Sequence, residues 1–332
     1  MACKITKIEY YLPSMILDNT QLEKEFSEWN AAKIEEKIGI RNRHLAAECE
    51  TALDMAFTAG EKLLQGMDKQ SIGFLILCTQ SPDYFLPTTA CILQDKLGLS
   101  RTCGAFDFNL GCSGFVYGLA VAKGLIYANI TDKVLLITSE TYSKFIHSLD
   151  KSNRSIFGDG AAAILIEKSE MDGIKEFTLG TDGSGYDKLI VKTGGMRFPN
   201  KENLTELFDD EGYFHSPDHL FMDGSEIFNF TIDVVPELVE NTLNQNRMTK
   251  DEVDYFIFHQ ANKFILEHLR DYLSIPIEKF YLNLLETGNT VSATIPIALA
   301  ECLQNCTLKK GDKVMLVGFG VGLSWGGCII EI

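Results

Sequence analysis

Short apolar runs alternate along the chain with longer stretches whose apolar residues recur at helical spacing. Runs at 74–78, 105–109, 133–137, 161–166, 255–258, 313–317 and 327–332 have the length of strands. Several are apolar at every position, the pattern of strands covered on both faces. Residues 51–64, 88–97 and 227–243 repeat with the period of a helix. Residues 1–11 read as a first strand, followed at 18–43 by a charged, mostly helical insertion. Strands alternating with helices predict an α/β architecture. Residues 180–223, dense in Gly, Asp, Asn and Pro, predict a loop-rich connection with short strands.

The pattern also repeats. Phe74-Leu-Ile-Leu-Cys-Thr-Gln80 has the form of Tyr255-Phe-Ile-Phe-His-Gln260. Ala105-Phe-Asp-Phe-Asn-Leu-Gly-Cys112, a strand and turn before a helix at 113–126, matches Phe280-Tyr-Leu-Asn-Leu-Leu-Glu-Thr-Gly-Asn289 before a helix at 290–303. Asp132-Lys-Val-Leu-Leu-Ile137 matches Asp312-Lys-Val-Met-Leu-Val317, and the run beginning at Ala161 matches the one beginning at Gly327. The spacing is kept: 20 residues separate Cys112 from Asp132, and 23 separate Asn289 from Asp312. Two copies of so long a unit predict two fused α/β halves, residues 1–170 and 171–332, packed into one body.

Composition narrows the function classes. Thirty Lys and Arg against 46 Asp and Glu give a net charge of −16, which argues against a nucleic-acid surface. No run is long and apolar enough for a membrane span, and the start lacks the pattern of a secretory leader, so a cytoplasmic setting is expected. Nine cysteines without regular spacing predict neither a disulfide framework nor a metal site, but mostly small buried thiols.

The repeat singles out three side chains. Cys112 and Asn289 occupy equivalent strand-to-helix turns, and His259 ends a neighbouring strand. Strand ends of this kind converge on ligand sites in α/β sheets. A thiol at a helix N-terminus between glycines is expected to ionise near neutral pH and act as a nucleophile. Taken singly, each residue has a plainer reading: an inert buried cysteine, a structural histidine, a helix-capping asparagine. The glycine-rich stretch Gly318-Phe-Gly-Val-Gly-Leu-Ser-Trp-Gly-Gly327 reads either as a tight hairpin or as the donor of a backbone N–H to an oxyanion.

Together these motifs resemble the β-ketoacyl-acyl-carrier-protein synthase III family of thiolase-like condensing enzymes. The resemblance rests on Gly39-Ile-Arg-Asn-Arg-His44, Leu86-Pro-Thr-Thr-Ala-Cys91, Gly111-Cys-Ser-Gly-Phe115 and Arg154-Ser-Ile-Phe-Gly-Asp-Gly-Ala161. It continues through His259-Gln-Ala-Asn262, Gly288-Asn-Thr-Val-Ser-Ala293 and the glycine-rich stretch, in family order. It implies a thiolase-like fold with a layered αβαβα arrangement. It implies that Cys112 takes an acyl group from an acyl-CoA. His259 and Asn289 would then assist decarboxylative condensation with a malonyl group on an acyl carrier protein. Backbone N–H groups of Cys112 and Val321 would form the oxyanion hole, Val321 standing where many members have glycine. The resemblance further implies a homodimer, no cofactor beyond the thioesters, and substrate contacts at Arg154, Leu86, Lys33 and Lys263. Leu86, smaller than the phenylalanine of some members, implies room for primers longer than acetyl.

The sequence departs from the family at its donor surface. Lys33 stands where a tryptophan often stacks on adenine, with Trp29 the nearest indole. Phe264, Asp271, Tyr272 and Asn229 stand where basic residues dock the carrier. Acyl transfer to an amine, hydroxyl or water without decarboxylation is the main rival. A non-catalytic acyl-binding subunit would have lost the nucleophile, and a papain-like hydrolase would show no internal repeat.

Overall fold

The computed structural model describes every residue except Met1 and positions 203–206, 210, 211 and 213. The chain opens with β1 (Ala2–Tyr11), so of the expected first strand only Met1 lies outside the described residues. The paired strands β2 (Met15–Asp18) and β3 (Asn42–Leu45) bracket α1 (Asn19–Glu25) and α2 (Ala31–Ile38), which form the expected insertion. Then come α3 (Ala52–Leu64), β4 (Phe74–Cys78), α4 (Thr89–Lys96), β5 (Gly104–Phe108), α5 (Gly114–Tyr127), β6 (Lys133–Glu140), α6 (Lys151–Arg154) and β7 (Gly160–Ser169). After β8 (Ile174–Thr181), the loop-rich stretch carries two-residue strands: β9 (Leu189–Ile190), β10 (Leu207–Phe208), β11 (Phe214–His215) and β12 (Phe221–Met222). The chain ends with α7 (Gly224–Gln245), β13 (Tyr255–Phe258), α8 (Lys263–Tyr272), α9 (Thr294–Gln304), β14 (Lys313–Gly320) and β15 (Ser324–Glu331).

The sequence repeat is a repeat of sheet topology. One sheet runs β5-β4-β6-β7-β1 and the other β13-β14-β15-β8. β4–β6 and β13–β14 are parallel, whereas β6–β7, β14–β15, β7–β1 and β15–β8 are antiparallel. The partner of β5 is the exception. The strand expected from Phe280 is reduced to a single parallel bridge between Phe256 and Phe280. The ladder stops because the Gln260 side chain intervenes: its Oε1 accepts from the Asn283 backbone N–H at 2.7 Å.

Period-two alternation explains why central strands are apolar throughout. Ile76, Val134, Leu136, Ile257, Val314 and Leu316 face inward onto Phe115 and Leu119 of α5 and Ile295 and Leu299 of α9. The intervening Leu75, Leu77, Leu135 and Ile137 face outward onto α3 and α4 through Leu63 and Leu93. Met315 and Val317 face outward onto Leu238 of α7 and Leu266 of α8. Two sheets, two inner helices and two outer helical layers make the αβαβα arrangement, and the α5 and α9 N-termini meet at one level beside the strand ends. All nine cysteines are free, five of them buried.

Candidate active site

Cys112 sits in the turn between β5 and α5 and is 5% exposed. Glycine makes room for it. A Cβ on Gly320 would lie 2.9 Å from both Cβ and Sγ of Cys112, and one on Gly111 would lie 2.5 Å from Val321 Cγ1. The backbone N–H groups of Val321 and of Cys112 itself reach the thiol sulfur. Burial nevertheless pushes the thiol up to about 12, with buried Glu140 adding to the shift and the two N–H groups opposing it. Burial thus opposes the thiolate expected near neutral pH. Ser113, the residue before α5, has its hydroxyl bonded to Ser324 Oγ at 2.7 Å and makes no cap.

His259 follows β13 and is 2% exposed. Its backbone N–H continues the ladder to Val317 O at 2.8 Å, and its ring meets Phe319 edge-on at 5.6 Å. Burial lowers it to about 3, so the imidazole is neutral. Nδ1 contacts Thr294 Oγ1 at 2.7 Å, and that hydroxyl also lies 3.0 Å from Val291 O. The hydroxyl sets the tautomer. When it donates to Val291 O, Nδ1 holds the ring proton and Nε2 is a proton acceptor. When it donates to Nδ1, Nε2–H is a donor.

Asn289 is 4% exposed, and its amide is oriented by the backbone. Oδ1 accepts from the Val291 N–H at 2.9 Å, which turns Nδ2 toward His259 Nε2, 3.4 Å away. Its backbone N–H donates to Ile156 O at 2.9 Å, and its carbonyl accepts from Gly158 N–H at 3.0 Å. These bonds tie the turn to the half that carries Cys112. The three side chains then line one cavity of about 150 Å³, closed by Phe157, Leu189, Met222, Ile227 and Phe319. Such a site sets a thiol, a neutral imidazole and an amide N–H around one space with apolar walls. A larger cavity of about 1070 Å³ beside Tyr186, Lys192, Phe198 and His219 contains none of these groups.

The substrate contacts implied by resemblance lie elsewhere. Leu86 is 87% exposed beside exposed Tyr84 and Phe85. Arg154 is bound to Glu25 and to Ser148 O (2.7 Å), with its guanidinium 5.6 Å from the Phe26 ring. Lys33 lies exposed on α2, and Lys263, in the first turn of α8, packs against Gly39. None of the four lines the Cys112 cavity. Phe264 and Tyr272 stand on α8 as exposed aromatics. Sequence reasoning passed over two residues of the site. Thr294, five positions after Asn289, sets the His259 tautomer. Glu140 is a fully buried acid at the end of β6, and because it follows the polar Thr138 and Ser139 no local pattern in the sequence marked it.

The family profile described as 3-oxoacyl-[acyl-carrier-protein] synthase III matches residues 106–183, and its C-terminal counterpart matches 243–332. A β-ketoacyl-[acyl-carrier-protein] synthase III of Clostridium perfringens (strain SM101 / Type A) is 37% identical over 332 residues, covering 99% of each chain. A solved 3-oxoacyl-(acyl-carrier-protein) synthase III is 44% identical, with a TM-score of 0.98 and 100% of each chain covered. A 3-oxoacyl-(acyl-carrier protein) synthase of Burkholderia xenovorans LB400 is 37% identical, with a TM-score of 0.92, covering 100% of this chain and 94% of its own.

Proposed function

Since the chain belongs to the β-ketoacyl-[acyl-carrier-protein] synthase III family and is a condensing acyltransferase, we propose that Cys112 carries the acyl group while His259 and Asn289 stabilise the extender's enolate. The observation that carries this division of labour is the convergence of all three side chains, from both halves, on one buried apolar cavity. In the first step the Cys112 sulfur attacks the carbonyl of an acyl-CoA. A carbon–sulfur bond forms, the bond to coenzyme A breaks, and the thiol proton leaves with the coenzyme. The Cys112 and Val321 N–H groups receive the oxyanion.

In the second step a malonyl thioester on an acyl carrier protein loses carbon dioxide. The electron pair of the broken bond passes into an enolate, whose oxygen accepts from Asn289 Nδ2–H and His259 Nε2–H. That role requires Thr294 to donate to Nδ1. The enolate carbon attacks the acyl-Cys112 carbonyl, the carbon–sulfur bond breaks, and the Cys112 thiolate takes up a proton. The chemistry calls on no group beyond the thioesters.

We further propose a homodimer. β5 is the edge strand of its sheet, and the adjacent apolar side chains of Tyr84, Phe85 and Leu86 are 60%, 80% and 87% exposed. Leu86 would then shape the partner's acyl pocket, and the primer is an acyl-CoA longer than acetyl. The carrier meets α8 through Phe264 and Lys263. The test is intact-protein mass spectrometry with a panel of acyl-CoA thioesters, followed by product analysis with a malonyl thioester. A mass gain lost in Cys112→Ala, with carbon dioxide released on extension, is expected. Acyl release without carbon dioxide would overturn condensation, and a strict acetyl preference would overturn the pocket reading.

A further inference from the structure

Glu140 is a fully buried acid beside the reaction centre, and the steps above do not use it. It is 0% exposed at the end of β6. Its carboxylate joins the two halves of the molecule. Oε2 accepts from the Gln80 backbone N–H at 3.0 Å and from Ser81 Oγ at 3.1 Å, both just beyond β4 in the first half. Oε1 accepts from Ser292 Oγ at 2.8 Å, in the second half. Ser292 lies in the short 3₁₀ turn Val291–Ala293 that opens α9. That turn supplies the Val291 N–H that orients Asn289 and leads directly into Thr294, the partner of His259 Nδ1. Val291 holds a left-handed backbone at φ 56°, a conformation a β-branched residue keeps only when its surroundings hold it.

Burying a carboxyl group carries a desolvation penalty, and the hydrogen bonds of this one tie the residues after β4 to the turn before α9. We infer that Glu140 is a positioning residue for the condensation step: through Ser292 it fixes the turn carrying Asn289 and Thr294 against the strand ends beside Cys112. Once ionised, the same carboxyl opposes the Cys112 thiolate. The other titratable groups that face it are Cys78 at the end of β4, Tyr142 after β6 and Asp159 before β7.

The inference rests on the proposed roles of Cys112, His259 and Asn289, and the test separates the two. Three readouts are compared in the full-length enzyme: Cys112 acylation by intact mass, carbon dioxide release from a malonyl thioester in a Cys112→Gln background, and the pH profile of Cys112 alkylation by iodoacetamide. Ser292→Ala removes only the arm to the second half, and it should slow carbon dioxide release by about tenfold while acylation stays within about threefold. Glu140→Gln keeps the volume, removes the charge and should shift the alkylation profile to lower pH, since no anion then opposes the thiolate. A role confined to folding would move neither the profile nor the ratio of the two half-reactions. Should Glu140→Gln not fold, Ser292→Ala still decides the positioning role. Unchanged carbon dioxide release in Ser292→Ala overturns it. An unmoved alkylation profile in folded Glu140→Gln overturns the electrostatic part. Absence of carbon dioxide release in the Cys112→Gln background alone would instead overturn the function on which the inference stands.

Discussion

The turns that hold Cys112 and Asn289 occupy the same place in two copies of one topology, yet they are built differently. The Cys112 turn hangs on a five-residue strand and runs straight into a 14-residue helix, α5. The Asn289 turn has lost its strand to one bridge and passes through a left-handed valine and a 3₁₀ turn before α9 begins. The first follows a full ladder with β4 and adds one side-chain bond to the other half, Ser113 Oγ to Ser324 Oγ. The second is held by side chains and backbone of the other half: Ile156, Gly158 and, through Ser292, Glu140. A nucleophile needs to be placed once, in a close-fitting turn. An amide donor must be aimed at a charge that forms in a substrate, and its orientation here comes from distant partners.

That contrast can be broken in steps. Cys112→Ala removes the covalent carrier, so condensation is expected to fall about 10³-fold or more and the acyl mass gain to vanish, read by intact mass and product assay. His259→Ala and Asn289→Ala act on the other turn. Each is expected to slow carbon dioxide release by about 10²–10³-fold while Cys112 still acylates, measured as the two half-reactions side by side. Equal losses in both half-reactions would contradict separate roles. Thr294→Val keeps the shape but removes the hydroxyl that meets His259 Nδ1, and a loss of about tenfold in carbon dioxide release is expected from the same assay.

The smallest effect is on stability and has a definite sign. Burial raises Glu140 from 4.5 to about 8. A raised folded-state value means that the stability linked to this proton is full below about 4.5 and is lost as pH rises through about 8. Glu140→Gln does not titrate. Its thermal midpoint relative to wild type should therefore rise between pH 5 and pH 9, the window those two values set. A difference that stays flat across that range would show that the carboxyl is not held against ionisation. The combination of higher stability at alkaline pH with slower decarboxylation would mark a residue kept for alignment.

Most of the fold was legible because it follows local period. The apolar runs became strands whose alternate residues feed two cores, and the repeated order of motifs became the repeated order of two sheets. The equivalence of Cys112 and Asn289 came from the repeat alone, before any distance was measured. The Phe280 strand was misread because its pairing was decided by the Gln260 side chain, a competitor that periodicity does not record.

By itself, then, the sequence determined the layered architecture and singled out the three side chains that meet in one cavity, with the strand ends on which they stand. Only the tertiary structure decided how those side chains behave. Thr294 meets His259 across 35 positions, and Glu140 meets Ser292 across 152. The thiol is raised and the imidazole lowered by what packs over them. Period and motif are properties of neighbouring residues along the chain, whereas desolvation and charge depend on which distant segments close around a group, and those exist only once the halves have packed.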